Sequence, residues 1–298
     1  MKEFNFKNLE INDFELFKPV NNTNIYEQYL KYKENVQILN NLNATQKKVL
    51  KDSGYIKVSK KTSKEFIDTS LINNKSLFRK SNSSNELLTQ IWLSKVINDA
   101  KLIVLNNKIA TFQKIDKDLL KKIAQLSIEN SNIIKLPNML LEYGIILIYE
   151  KCLPNTKLDG AVLTLSSGHP VIGISFRYSR LDSFWFTLLH ELSHIVLHLD
   201  KLKEPIIDDF DDIEIDDDIT ELEANKLAKN SFVERHIWRT CEAKYNTSVV
   251  DVLKSFSEKI NINPVVIAGL LRYEKNDYTI YSKLINEFNV REYIFGKD

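Results

Sequence analysis

The sequence predicts an α+β protein in which a small antiparallel sheet leads into a buried helix. A mostly helical N-terminal region precedes the sheet, and the C-terminus is helical. Changes of period carry this prediction. Apolar spacing is mostly helical from Ile25 to Ile134, shortens to β-branched runs between Tyr143 and Phe176, and becomes helical again from Asp182. On this reading residues 1–135 form an N-terminal arm and helical region, and residues 136–298 form a second domain with C-terminal helices. A chain of 298 residues is long enough for either one large domain or two modest ones.

Composition narrows the function classes. Hydrophobic and charged fractions of 43% and 27% are those of an ordinary globular chain. A formal charge of +1 gives no global electrostatic case for nucleic acid, so no direct nucleic-acid binding is expected. The opening "MKEFNFKNLEINDFELF" lacks the apolar core of a signal peptide, and "YGIILIY" is too short to span a bilayer. Cys152 and Cys241, without CxxC spacing, fit free thiols in a reducing compartment. The expectation is a cytoplasmic protein with no membrane association.

Taken in order, residues 1–24 show no clear period and are expected to be an arm. "KVSKKTSK", Lys57 to Lys64, is expected to be a solvated loop or helix start. "NELLTQIWLSKVINDAKLIVL" carries Leu87, Leu88, Ile91, Trp92, Val96 and Ile97 as a helical stripe. "DKDLLKKIAQLSIEN" starts a helix at an Asp116 cap. "YGIILIYE" and "DGAVLTLSSGHPVIGISF" supply three short strands, expected to form a meander, with His169 as a polar loop residue. The next helix has Asp182 or Ser183 as its N-cap and runs "FWFTLLHELSHIVLHL". It is apolar on nearly every side and should be buried. Histidine and glutamate there would each cost a few kcal/mol unless compensated.

Three of the five histidines lie on that helix, and His190, Glu191 and His194 spell H-E-x-x-H. Residues four apart share a helical face, so His190 and His194 can direct ring nitrogens at one ion. Glu191 can then take a proton from a bound water. His198 lies a further turn along, about 6 Å away and out of reach of that ion, and is read as a structural histidine or a supporting group. A third ligand is expected beyond the acidic run "DDFDDIEIDDD", in the helix "ITELEANKLAKNSF". Glu221 is the candidate, with Asn225 one turn on to orient a ligating histidine. Glu223 is the rival, although Thr220 with Glu223 also makes a capping-box pattern, and Asp218 with Glu221 makes another.

The chain resembles the ImmA/IrrE metallo-endopeptidases, in particular the antitoxin-like branch, from about Val49 to Lys275. The resemblance rests on "DSGYI", "LFRKS" followed by "IWL", "LDGAVLTL", "ISFRYSRLDSFWFTLLHELSHIVLH", "ELEANKLA" and "INPVVIAGLL". It implies a zincin-like fold with Zn2+ on His190, His194 and Glu221, Glu191 as general base, and Asn225 at the family's Asn or Asp. The separation from His194 to Glu221, 27 positions, also fits that family. Two departures stand out. Leu227 and Phe232-Val233-Glu234 replace the family's usual residues, which bears on packing beneath the ligand helix. No helix-turn-helix pattern precedes the region of resemblance, so any DNA recognition is expected of a separate protein.

Two functions follow as expectations. The first is a zinc-dependent endopeptidase acting on a repressor or antitoxin-type partner of the helix-turn-helix class, in a stress, phage or toxin–antitoxin response. Arg177 or Tyr178 would then either stabilise an oxyanion or pack. The second is a zinc-stabilised binding module that cleaves nothing, against which an intact Glu191 argues. The C-terminal "INPVVIAGLLRYEKNDY" is expected to form a helix capped near Asn263, with Pro264 in its first turn, packed on the core.

Overall fold

The computed structural model describes residues 33, 36–58, 65–67, 84–154, 156–202, 206–208, 219–247 and 249–297. The expected arm over 1–24, the "LFRKS" motif and the acidic run after Asp208 lie outside them. The chain divides into two compact units, Met1–Asn98 with Leu153–Thr156, and Asp99–Cys152 with Lys157–Asp298.

In the first unit, helix α1 (Ala44–Asp52) opens with a capping box in which Asn43 and Gln46 exchange side-chain and backbone hydrogen bonds of 2.9 Å. Strands β1 (Ile56–Val58) and β2 (Glu65–Ile67) then form an antiparallel pair. This corrects the expectation of a helical stretch: Ile-Lys-Val alternates with a period of two, and the β-branched and aromatic residues of both segments suit a strand. Lys57 of the lysine cluster is exposed in β1, and residues 59–64 lie outside the described set. Helix α2 (Ser84–Asn106) buries the whole stripe Leu87, Leu88, Ile91, Trp92, Val96 and Ile97.

In the second unit, which takes in the last turns of α2, the next helix is α3 (Lys117–Gln125), capped by Asp116, whose Oδ1 accepts from the Leu119 amide at 2.9 Å. Helix α4 (Asn132–Leu141) leads to β3 (Ile146–Tyr149), β4 (Gly160–Thr164) and β5 (Pro170–Ile174). Then come α5 (Leu181–His198), β6 (Ile206–Asp208), α6 (Ile219–Phe232), α7 (Arg235–Trp238), α8 (Val250–Ile260), α9 (Pro264–Lys275), α10 (Ser282–Ile285) and α11 (Val290–Phe295).

The sheet has the order β3-β5-β4-β6 and is mixed: β4 pairs antiparallel with both β5 and β6, whereas β3 pairs parallel with β5. The expected antiparallel meander is therefore corrected at one position. The connection between β3 and β4 is long enough to pass over a strand. "PVIGI", buried at every position, takes the central place it leaves. Pro170, at the first residue of β5, removes no bond from the middle of the ladder.

Helix α5 starts at Leu181, ahead of both expected caps. Arg180 is the N-cap and makes no side-chain capping bond, while Asp182 and Ser183 stand in the first turn. The start is set from outside the helix: Arg180 bridges to Asn289, and the Val290 amide donates to the Ser179 carbonyl at 2.9 Å. Arg291 donates to the carbonyls of Phe176 and Arg177. These bonds tie down a left-handed Phe176 (φ 54°) that a non-glycine residue adopts only when its surroundings hold it there. Helix α9 begins as expected, with Asn263 Oδ1 accepting from the Val265 amide at 2.9 Å and Pro264 in the first turn, and it packs on α5. Cys152 and Cys241 are free thiols. Among the described residues no helix is long and apolar enough to cross a membrane.

One polar knot joins α6, α7 and α9. Glu274 accepts from Lys229 at 2.9 Å, Lys244 at 2.9 Å and Trp238 Nε1 at 2.6 Å. Both ammonium groups also sit over the Trp238 ring. Burial pushes the Glu274 carboxyl up, but the three donors outweigh it and bring its pKa to about 2. An unfolded glutamate titrates near ~4.3, so the stabilisation is complete above that value and fades as pH falls toward the folded one. Glu274→Gln is expected to cost about 1 kcal/mol at neutral pH, a modest figure because the carboxylate is partly solvated. In urea unfolding, the gap between variant and wild type should narrow as pH is lowered from about 5 to about 3.

Candidate metal centre

The requirement that α5 bury its polar residues is met by its neighbours. His190, Glu191 and His194 are all 0% exposed. His190 and His194, one turn apart, bring their Nε2 atoms to 2.9 Å, with the rings edge to face. Helix α6 packs along α5 and delivers Glu221, whose Oε2 lies 3.0 Å from His190 Nε2 and whose Oε1 lies 3.3 Å from His194 Nε2. The three side chains can each offer one ligand atom, all within 4.8 Å of one another.

Asn225, one turn further along α6, fixes the chemistry of His190. Its Oδ1 accepts the Nδ1 proton of His190 at 2.9 Å. A neutral His190 held in that tautomer turns an Nε2 lone pair toward His194 and Glu221. Acceptor atoms thus converge on one point, an arrangement that a cation reconciles. Nitrogen and oxygen ligands at about 2.0–2.2 Å around a tetrahedral zinc stand roughly 3.3–3.5 Å apart, so the observed separations need open by only a few tenths of an ångström. The residues fit the ion.

The rival carboxylate goes elsewhere. Glu223 Oε2 lies 3.6 Å from His198 Nε2, one turn away from the cluster. His198 also bonds the Thr220 backbone, and burial, with His194 and Lys201 nearby, lowers its pKa. Thr220 is the second residue of α6, and its hydroxyl accepts from Lys201 at 2.9 Å, so it forms no capping box with Glu223. Asp218, the other cap candidate, lies outside the described residues.

Glu191 lies against the sheet. Its carboxylate rests on Gly160 at the start of β4: a Cβ on that residue would lie 2.1 Å from Glu191 Oε1 and 2.8 Å from Thr187 Cγ2. Gly160 lies in "LDGAVLTL", whose pattern alone assigns it no role. A lone glycine at the start of a strand is the signal that marks such a close approach. The oxyanion candidates are both engaged: Arg177 pairs with Asp159 at 3.4 Å, and the Tyr178 ring lies under the guanidinium groups of Arg177 and Arg180. His169 stays on the surface, against Ser167 and the Ala110 carbonyl.

A divalent metal should bind at one ion per chain, and His190→Ala should abolish it. Glu221→Gln should weaken binding strongly while Glu223→Gln leaves it unchanged, and Asn225→Ala should cost about 10–100-fold in affinity. Metal analysis of the purified variants reads all four. Retention in Glu221→Gln with loss in Glu223→Gln would move the third ligand to Glu223.

No curated protein matches the chain by sequence. Residues 142–262 match the family described as the IrrE N-terminal-like domain, a stretch that runs from the end of α4 through β3–β5, α5 and α6 to the start of the α8–α9 turn. The His-Glu-His motif, the Glu221 helix and the sheet that receives Glu191 all fall within it. Over these residues the chain is similar to the IrrE N-terminal-like domain of the ImmA/IrrE family.

Proposed function

We propose that the protein is a zinc-dependent endopeptidase of narrow range, acting in the cytoplasm on a regulatory protein such as a helix-turn-helix repressor or antitoxin. The observation that carries this reading is the place of Glu191. A metal site that only stabilises a fold needs closed coordination and no adjacent base. Here a second carboxylate is buried beside the His-His-Glu cluster, and the sheet gives up a side chain at Gly160 to admit it.

His190, His194 and Glu221 would hold the ion, with Asn225 orienting His190. Zinc bound there supplies Lewis acidity, lowering the pKa of a water and polarising a carbonyl. Glu191 accepts the proton of the attacking water at its carboxylate, the water oxygen bonds to the scissile carbonyl carbon, and the carbon–nitrogen bond breaks as Glu191 returns the proton to the leaving amine. The backbone of β4 and the side chain of Thr187 confine the Glu191 carboxylate, so little reorganisation precedes proton transfer. The resemblance to the antitoxin-like branch supports a regulatory protein as substrate and a stress, phage or toxin–antitoxin setting.

The test compares protein fragments in the native host, at rest and under stress, between wild type and Glu191→Gln. The expected result is a cleaved partner with wild type alone, while Glu191→Gln keeps its zinc. Identical fragment patterns in both conditions would leave a zinc-stabilised binding module as the function. Gly160→Ala offers a second reading. The atoms nearest its methyl are the Glu191 carboxylate and Thr187 Cγ2, and the carboxylate is the free end of a side chain, so folding and zinc content should survive while cleavage falls by about 10²-fold, as expected for a displaced catalytic group. Cleavage at the wild-type rate in that variant would show that the seat of Glu191 on β4 is unimportant.

A further inference from the structure

Helix α3, the end of α6 and α7 bound an open cavity of about 560 Å³. It stands apart from the metal centre. Ser231, in its wall, follows Glu221 by ten residues on α6, roughly 15 Å along the helix axis. The lining is cationic. Lys117, Lys121, Arg235 and Arg239 border it with two carboxylates, Asp118 and Glu234. With His236 neutral, that is an excess of two positive charges in a chain whose formal net charge is only +1.

Both carboxylates are already engaged. Lys121 lies 2.8 Å from Glu234 and 3.8 Å from Asp118, and His236 lies 3.4 Å from Glu234. Lys117, Arg235 and Arg239 are exposed, and none of them makes a hydrogen bond, ion pair or ring contact with another described residue. Six arginines fall among the described residues, and the other four are held. Arg177 and Arg180 pair with Asp159 and Asp182, Arg272 bonds Tyr278 and Ser282, and Arg291 bonds backbone carbonyls. The remaining two both line this cavity. Arg235 opens α7 and Arg239 is its C-cap with helical dihedrals, so the guanidinium groups stand one turn apart and repel each other. The free carbonyls at the end of α6 favour a cation nearby, which accounts for one such charge and leaves the others uncompensated. Asn230 adds a neutral amide to the same wall.

We propose that this cavity binds a phosphate dianion, free or carried at the end of a small molecule. A guanidinium presents a planar fork of N–H donors that matches two phosphate oxygens, and Lys117 adds a point charge from α3. The charge matches as well. A phosphomonoester carries about two negative charges at neutral pH, equal to the excess in the lining, whereas a carboxylate or a phosphodiester carries one. A nucleic-acid strand fits less well, because Asp118 and Glu234 interrupt the cations that would follow its backbone. Bound phosphate joins α3 to α7 and so fixes the end of the helix that carries Glu221. Neither the site nor its test depends on the endopeptidase reading.

The full, zinc-loaded chain is titrated by calorimetry at fixed ionic strength with inorganic phosphate, glycerol phosphate, adenosine monophosphate and dimethyl phosphate. One dianion should bind per chain, and dimethyl phosphate, with its single charge, should bind about tenfold more weakly or worse. Arg235→Gln and Arg239→Gln should each weaken the dianion by about tenfold or more. Lys117→Gln should weaken it by less, and Lys254→Gln, which removes an exposed cation on α8, should leave it unchanged. The arginine variants lose no bond to another described residue, so their unfolding midpoints without ligand should equal that of the wild type. Similar affinity for all three dianions assigns the site to phosphate itself, tighter binding of either ester assigns it to a phosphorylated small molecule, and both uphold the proposal. Absence of saturable binding by any dianion in the millimolar range overturns it. Binding that both arginine variants retain also overturns it, because the anion would then sit at the zinc. A single-stranded oligonucleotide that binds more tightly than the monoesters, and loses that binding in the arginine variants, would make this face a nucleic-acid surface and overturn it too.

Discussion

The burial of two imidazoles and a carboxylate on one apolar helix is the constraint on which the second unit is built. Left uncompensated, polar groups at 0% exposure would each cost about 1–3 kcal/mol, a large fraction of the margin by which a domain is stable. Helix α5 cannot relieve them itself, because its backbone bonds are already made within the helix. Relief comes from α6, which supplies Glu221 and Asn225, and from β4, which gives space at Gly160. The contact between α5 and α6 is thus chemical as well as hydrophobic, and Ala224, Leu227 and Ala228 bring the two helices close enough for it.

The same constraint explains features far from the cluster. The angle and start of α5 are fixed by the 176–180 connection, and that connection is held by the last helix of the chain through Arg291, Asn289 and Val290. An aromatic group of Tyr149, Phe176, Phe184 and Phe295 packs beneath it, ring against ring. Helix α9 is held against α6 and α7 by Glu274, so the wall opposite α5 is also set by charge pairing. Precision at three ligand atoms therefore draws on bonds from the C-terminal elements.

Much of this was legible in the sequence because local chemistry and burial agree there. The period of "NELLTQIWLSKVINDAKLIVL", the Asp116 cap and the Asn263-Pro264 start are local signals, and no tertiary contact overrides them. The His-Glu-His spacing lies within one helix, so the geometry of its two imidazoles follows from the helical repeat. What was not legible depends on partners distant in sequence. Choosing between Glu221 and Glu223 needed the rotation of α6 about α5, which two capping patterns left open. The parallel β3–β5 pairing needed knowledge of where a long connection crosses the sheet. The N-cap of α5 was misplaced because Asp182 is a good capping residue by type. The bridge from Arg180 to Asn289 sets the helix start earlier and carries Asp182 into a buried turn beside Arg180.

The polar residues of α5 also show why the helix has to be apolar on its remaining sides. Asp182 faces α9, His190 and His194 face α6, Glu191 faces β4, and His198 returns to α6 through Thr220 and Glu223. Adjacent residues on a helix lie about 100° apart, so His190 and Glu191 reach α6 and β4 respectively. A ligand pair that needs a carboxylate from one element, followed at once by a carboxylate that needs space in another, requires the helix to lie between a helix and a sheet. Solvent on either flank would leave one of those two requirements to water, with its geometry unfixed. The metal-binding motif and the burial of the helix that carries it are therefore a single requirement. The sequence writes it as "FWFTLLHELSHIVLHL", in which leucine, isoleucine, valine and the aromatics fill every direction that the polar residues do not use.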